Sequence, residues 1–348
     1  PDAESLTIDP EHYYRQVLHG YYQFDCTVKE GVVRSAKFYI PENTVFNQPT
    51  VFVTVPDGEE SWEFLVKSGW KQMADVRQLC IVLMEPENGA WSDEEADIAY
   101  ITALNEDVGF RPFFCAFSSN FYGVAYGTAA DAFGKQARRF PKCWAGAALL
   151  GSSGMTEDEK ETLEKTETKV PGVAFSQVQM PVWIAAGEKT EDVERELTFY
   201  RAANHSDGVR QDGGCEIWDP KKGGTVDEHW CAEVVFDRRK WEDCLGFDYD
   251  CRIYDTVFAG VYRYPGNGNG ALRKNADIRS RGFQKFSEKV AGGYYEDGRD
   301  AYRREWWVYL PESADRTKPV PAVFVFHGAG GSGDEIADRS GWAYVAEK

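Results

Sequence analysis
The run Pro49-Thr-Val-Phe-Val-Thr-Val-Pro-Asp-Gly58 recurs as Pro321-Ala-Val-Phe-Val-Phe-His-Gly-Ala-Gly330, and Ser68-Gly69-Trp70 recurs as Ser340-Gly341-Trp342. The spacing is 272 residues in both places. An ungapped echo of that length, carrying a tryptophan and glycines, constrains architecture more than any local pattern, because a repeat means one fold used twice. Upstream the likeness continues with small gaps: Gly20-Tyr21-Tyr22 answers to Gly293-Tyr294-Tyr295, and Phe38-Tyr39-Ile40-Pro41 to Val308-Tyr309-Leu310-Pro311. The expected organisation is a complete first copy over residues 10–245, a turn-rich connector over 246–281 containing Pro265-Gly-Asn-Gly-Asn-Gly270, and the amino-terminal part of a second copy over 282–348.

A chain of 348 residues has room for two units. Its 57 acidic and 39 basic residues leave a formal charge of −18, which repels phosphate backbones and anionic headgroups. Nucleic-acid and membrane partners are therefore not expected. No stretch approaches the roughly 18 apolar residues of a membrane span. The chain begins at Pro1 with a polar run, so any signal peptide is expected to have been removed or never to have existed; a secreted or extracytoplasmic location is the expectation, with a cytoplasmic one left open. The eight cysteines include no CxxC pair, so neither a zinc site nor any other cofactor is expected. Pairing among Cys231, Cys244 and Cys251, in a charged stretch, stays open.

Within the first copy, short apolar runs alternate with helical patterns, which predicts a mainly parallel sheet covered on both faces. Strands are expected at 51–55, 79–84, 113–117, 146–151, 182–187 and 215–218. Trp62, Leu65, Val66, Gly69, Trp70 and Met73 keep helical spacing. A second helix starts near Ser92, where hydroxyl capping and following acids suit an amino terminus. Further helices are expected over 121–138 and 190–203. Right-handed crossovers would make this a doubly wound α/β sheet with its functional loops at the carboxyl ends of the strands.

Three stretches carry a resemblance. His327-Gly328-Ala329-Gly330-Gly331-Ser332 follows an apolar strand; Phe113-Phe-Cys-Ala-Phe-Ser-Ser-Asn120 follows the helix of Asp97-Ile98-Ala99-Tyr100-Ile101; and Phe140-Pro-Lys-Cys-Trp-Ala-Gly-Ala-Ala148 leads into the next strand. Together they resemble the poly(3-hydroxybutyrate) depolymerase and feruloyl esterase-like branch of the α/β-hydrolases, in tandem copies of which the second is partial. The resemblance implies an α/β-hydrolase-type fold, no cofactor and a serine nucleophile acting on a carboxylic ester, polymer-linked or of a hydroxycinnamoyl or hydroxyalkanoate kind. It also implies that His327, Gly328, Ala329, Gly330 and Gly331 form an oxyanion loop, whose glycines let backbone N–H groups reach a developing negative charge.

The first copy departs from the family at each catalytic part. Its G-x-S-x-G turn reads Ala116-Phe117-Ser118-Ser119-Asn120, without the glycines that permit a strained elbow. Val55-Pro56 stands where the second copy has His327-Gly328, and proline has no N–H to donate. The acid expected after Pro181–Gly187 falls on Thr190, with Glu191 and Asp192 just beyond, while His229-Trp230 sits where the family keeps its histidine. Ser118, His229 and Asp192 are thus the candidate nucleophile, base and acid of the first copy. Each has a plainer reading, as a remnant turn, a surface histidine and a charged helix start.

Two readings of function follow. In one the protein is a carboxylic ester hydrolase with catalysis in the second copy, so that its partners are an ester substrate, small or polymeric, and the remainder of the second hydrolase domain, in the same polypeptide or as a cleaved chain. In the other the first copy is a non-catalytic hydrolase-shaped module that binds a polysaccharide or polyester or acts as a scaffold.

Overall fold
The computed structural model describes residues 2–3, 18–42, 44, 48–92, 94–109, 111, 116–151, 154–221, 231–264, 271–274, 282–290, 302–328, 333, 336–337 and 340–347. They divide into two compact units, Pro1–Lys274 and Asn275–Lys348.

The first unit is built on a ten-stranded sheet. Its strands are β1 (Gly20–Lys29), β2 (Val32–Ile40), β3 (Gln48–Thr54), β4 (Cys80–Met84), β5 (Ala116–Gly127), β6 (Gly146–Gly151), β7 (Val182–Ala185), β8 (Ser206–Asp212), β9 (Cys215–Pro220) and β10 (Val234–Asp237). They lie in the order β1-β2-β4-β3-β5-β6-β7-β10-β9-β8. The six central strands from β4 to β10 run parallel, and antiparallel pairs close both ends. This is an α/β-hydrolase-type, doubly wound sheet.

Alternation along the strands divides the core. Phe52, Val82, Phe121 and Leu149 face one apolar layer, whereas Val51, Val53, Ile81, Leu83, Tyr122 and Leu150 face the other. The first layer is covered by α3 (Glu94–Val108), α4 (Ala129–Arg139) and α6 (Glu191–Ala203), and the second by α1 (Ser61–Ser68), α2 (Trp70–Arg77) and α7 (Phe247–Ile253). A further helix, α5 (Glu157–Lys165), packs on α6. Both faces being buried explains why the central strands read as continuous apolar runs.

Two expectations need correction. The segment 121–138 is not one helix: Phe121, Tyr122, Val124, Ala125 and Tyr126 are buried on both faces as the second half of β5, and the helix begins at Ala129. The small residues there allow close strand packing, and a Cβ on Gly123 would stand 2.0 Å from Cζ of Phe133. The stretch from 246 is no connector over its first half, because Ile253, Tyr254, Val257, Phe258 and Val261 complete the second apolar layer. Tyr122 also donates to the Val261 carbonyl at 2.6 Å, and a short hairpin of β11 (Val261–Tyr264) and β12 (Ala271–Lys274) follows. Finally, β1, β2, β8 and β10 carry no strand expectation, being amphipathic or very short.

The second unit holds an antiparallel hairpin, β13 (Gln284–Val290) with β14 (Tyr302–Val308), on which Phe286 and Trp306 stack at 6.0 Å. The triplet Gly293-Tyr294-Tyr295 falls outside the described residues. Residues 319–328 belong to no strand, and Val323, Phe324, Val325 and Phe326 are 58%, 81%, 38% and 84% exposed. Their repeat counterparts Val51, Phe52 and Val53 are fully buried in β3, between β4 and β5. No helix among the described residues is long and apolar enough to cross a membrane. None of the described cysteines, Cys231, Cys244 and Cys251 included, is in a disulfide.

Candidate functional site
In a sheet of this kind the loops that leave the carboxyl ends of the parallel strands converge, and a cavity of about 610 Å³ lies there. It is bounded by the β5–α4 turn (Gly127, Thr128), the end of β6 (Gly151, Gly154), the β7–α6 loop (Gly187, Glu188, Thr190) and the segment after β10 (Lys240, Trp241, Glu242). These are the places from which a hydrolase of this fold draws its nucleophile, acid and histidine, in that chain order.

The sharp strand-to-helix turn is at Gly127, not at Ser118. Gly127 ends β5 with φ +61°, a left-handed value that a glycine adopts without penalty and a side chain resists. Its neighbourhood is crowded: Gly151 is its register partner on β6, and a Cβ on Gly151 would lie 2.4 Å from the Gly127 carbonyl oxygen. The turn residue itself carries no side chain. The indole of Trp241 occupies the space beyond, 3.6 Å from where a Cβ of residue 127 would stand.

Ser118 lies nine residues earlier, near the amino end of β5. It precedes Phe121, which pairs with Thr50 of β3, and so lies within the strand and not at its carboxyl end; the expected elbow at 116–120 is corrected. The misreading has a physical origin: Ala116–Asn120 and Tyr126–Ala130 both join a strand-like run to small or polar residues, and only the length of the strand separates them. The signal that would have found the turn is the aromatic run Phe121–Tyr126 followed by a glycine and then Ala129-Ala130.

The other candidates fare differently. Asp192 borders the cavity, but it lies in the first turn of α6, is half exposed and is held by Arg195. Thr190 caps that helix by accepting from the Val193 N–H at 3.3 Å. His229 lies outside the described residues and precedes β10. The segment that leaves β10 beside the cavity, residues 238–246, contains no histidine and presents Lys240 and Trp241 instead. Of the second copy's loop, His327 is exposed, with Nδ1 2.9 Å from the Gly328 carbonyl oxygen. Ala329, Gly330 and Gly331 lie outside the described residues.

The other side of the turn carries an acid. Asp57 follows Pro56 at the end of β3, and its carboxylate accepts from the Thr128 hydroxyl and from the Trp91 backbone N–H, both at 2.8 Å. The Gly58 N–H is spent on the Gly89 carbonyl at 3.1 Å. A carboxylate therefore stands beside the turn, where acyl transfer requires donors to receive a developing negative charge. Beneath the turn, Trp70 Nε1 donates to the Tyr126 hydroxyl at 2.9 Å. Burial, with Asp250 nearby, pushes that phenol well above its ordinary pKa, so it remains a neutral structural group. Among the described residues no cluster of His, Cys, Asp or Glu could hold a metal ion.

No family model matches the chain, and no curated protein does. Among solved structures, the chain is similar to an acetyl xylan esterase from Aspergillus awamori, with 12% identity and a TM-score of 0.38 over 58% of this chain and 86% of that one. For Est1E from Butyrivibrio proteoclasticus the values are 11% and 0.37, over 52% and 84%. For the esterase Pf2001 of Pyrococcus furiosus they are 10% and 0.38, over 58% and 84%.

Proposed function
We propose that the first unit is a non-catalytic, hydrolase-shaped partner domain, and that carboxylic ester hydrolysis through a serine nucleophile belongs to the second copy, with His327, Gly328, Ala329, Gly330 and Gly331 as its oxyanion loop. The observation that carries the first half is Gly127: the left-handed strand-to-helix turn is present and its residue has no side chain. Asp57 at the oxyanion side and Trp241 in the space above point the same way, since a triad needs nucleophile, base and acid in mutual reach. The second half rests on the oxyanion-loop motif and on the 272-residue repeat. The ester would be polymer-linked or of the hydroxycinnamoyl or hydroxyalkanoate kind, with the first unit binding or buttressing the polymer.

A serine-directed fluorophosphonate followed by peptide mapping tests the assignment. No label is expected on residues 1–274, Ser118 included, and Gly127→Ser is expected to stay unlabelled because Asp57 and Trp241 remain. Label on the Ser118 peptide would overturn the reading.

A further inference from the structure
The cavity over Gly127 persists although the turn beneath it has no nucleophile. We infer that it is a binding subsite for one ring of a neutral saccharide, laid against Trp241 and hydrogen-bonded by Glu188, Lys240 and Glu242. The inference rests on the reading of the first unit as non-catalytic and names the ligand of that same site.

Shape comes first. Gly127, Gly151, Gly154 and Gly187 line the cavity, so much of its wall is bare backbone, and about 610 Å³ is left open. Cβ atoms at three of these positions would crowd it, standing 2.4 Å from Gly127 O for Gly151, 3.0 Å from Asp192 Cβ for Gly154 and 3.1 Å from Lys240 Cγ for Gly187. Trp241 is half-buried, with its ring set edge-on to Tyr126 at 6.3 Å, and offers a flat apolar surface at the cavity wall. Such a surface suits the C–H side of a sugar ring, a weak contact that adds to the apolar burial.

Charge then selects among ligands. Asp131 is tied to Lys135 at 2.9 Å, and Asp192 is held by Arg195. Glu188, Lys240 and Glu242 line the cavity with no side-chain partner among the described residues. An anion would face two unpaired carboxylates, and a cation would face Lys240. An acyl chain would bury those three groups unsatisfied, at a cost for each. Sugar hydroxyls each donate and accept, so neighbouring hydroxyls on one ring can serve the two carboxylates and the ammonium together.

The test is retention of the whole chain in gels cast with neutral glucans, xylans, mannans or galactans, followed by calorimetric titration with the matching tetrasaccharides. At least one is expected to bind. Trp241→Ala should weaken binding about tenfold or more and Trp241→Phe by no more than about threefold, while the exposed Glu188→Gln should weaken it about threefold or more. Because Glu188 is not packed in the core, its variant remains informative if Trp241→Ala fails to fold. The inference is overturned if no neutral saccharide is retained, if both Trp241→Ala and Glu188→Gln bind as the parent does, or if spermidine or polygalacturonate binds in their place. Absent retention together with an unlabelled first unit sinks this inference alone; serine labelling in that unit sinks the reading beneath it.

Discussion
Asp250 on α7 is fully buried, and neither of its carboxyl oxygens has a hydrogen-bond partner of ordinary geometry. Its close neighbour is the Gly69 kink between α1 and α2, where a Cβ would lie 2.6 Å from Asp250 Oδ2. Burial raises its pKa well above the usual carboxylate range, and the Tyr126 hydroxyl offsets only part of this. In the unfolded chain the group ionises near pH 4, whereas the fold holds the proton to higher pH. The contribution is therefore fully present below about pH 4 and is lost as pH rises toward the raised value. Asp250→Asn, which cannot ionise, is expected to melt close to the parent at about pH 4 and above it at about pH 8. A scanning calorimetry series over that range checks this, and an equal offset at both ends would count against it. None of this was legible in the sequence, where Asp250 is one acid in a charged stretch. Gly127 was equally silent, because its meaning depends on where β5 ends.

Elements are joined at defined points, and Arg138 is the clearest. It sits on α4 with its guanidinium fully buried, bonding Glu196 of α6, Glu159 of α5 at 2.9 Å and the Gly154 carbonyl at 3.2 Å. One side chain thus ties three helices on one face of the sheet. Arg138→Met would remove the guanidinium from the buried Glu196 carboxylate, and a loss of about 3 to 5 kcal/mol is expected in urea unfolding. A change below about 1 kcal/mol, the range of an exposed pair, would show that the charge finds other relief. The parallel strands were readable because burial on both faces writes them as unbroken apolar runs. The flanking strands were not, since β2 alternates buried and half-exposed residues and β8 shows little but exposed ones. Periodicity also missed the boundary near 245: α7 is only seven residues long, and the turns after it bury their aromatics through tertiary contact.

At the scale of the whole molecule the two units differ in completeness of packing. Val323, Phe324, Val325 and Phe326 stand exposed where the repeat places a central strand, which forgoes about 6 to 12 kcal/mol of burial. The proposed remedy is docking against the remaining strands of a second hydrolase sheet. Chymotrypsin is accordingly expected to cut the 348-residue chain first near Phe324 and Phe326, leaving the first unit as a resistant core, with mass spectrometry reading the sites. Protection of residues 321–328 in a monomeric chain would argue for a different arrangement. The repeat itself was plain in the sequence, whereas the extent of each unit was not, because folding boundaries follow contacts and repeats follow descent. The three features around the turn, Gly127, Asp57 and Trp241, act together on the proposed reading. A nucleophile placed at the turn alone would still face the Asp57 carboxylate and the Trp241 indole, so on the proposed reading no single substitution gives the unit hydrolytic activity. On that reading the cavity is free to vary in what it accepts.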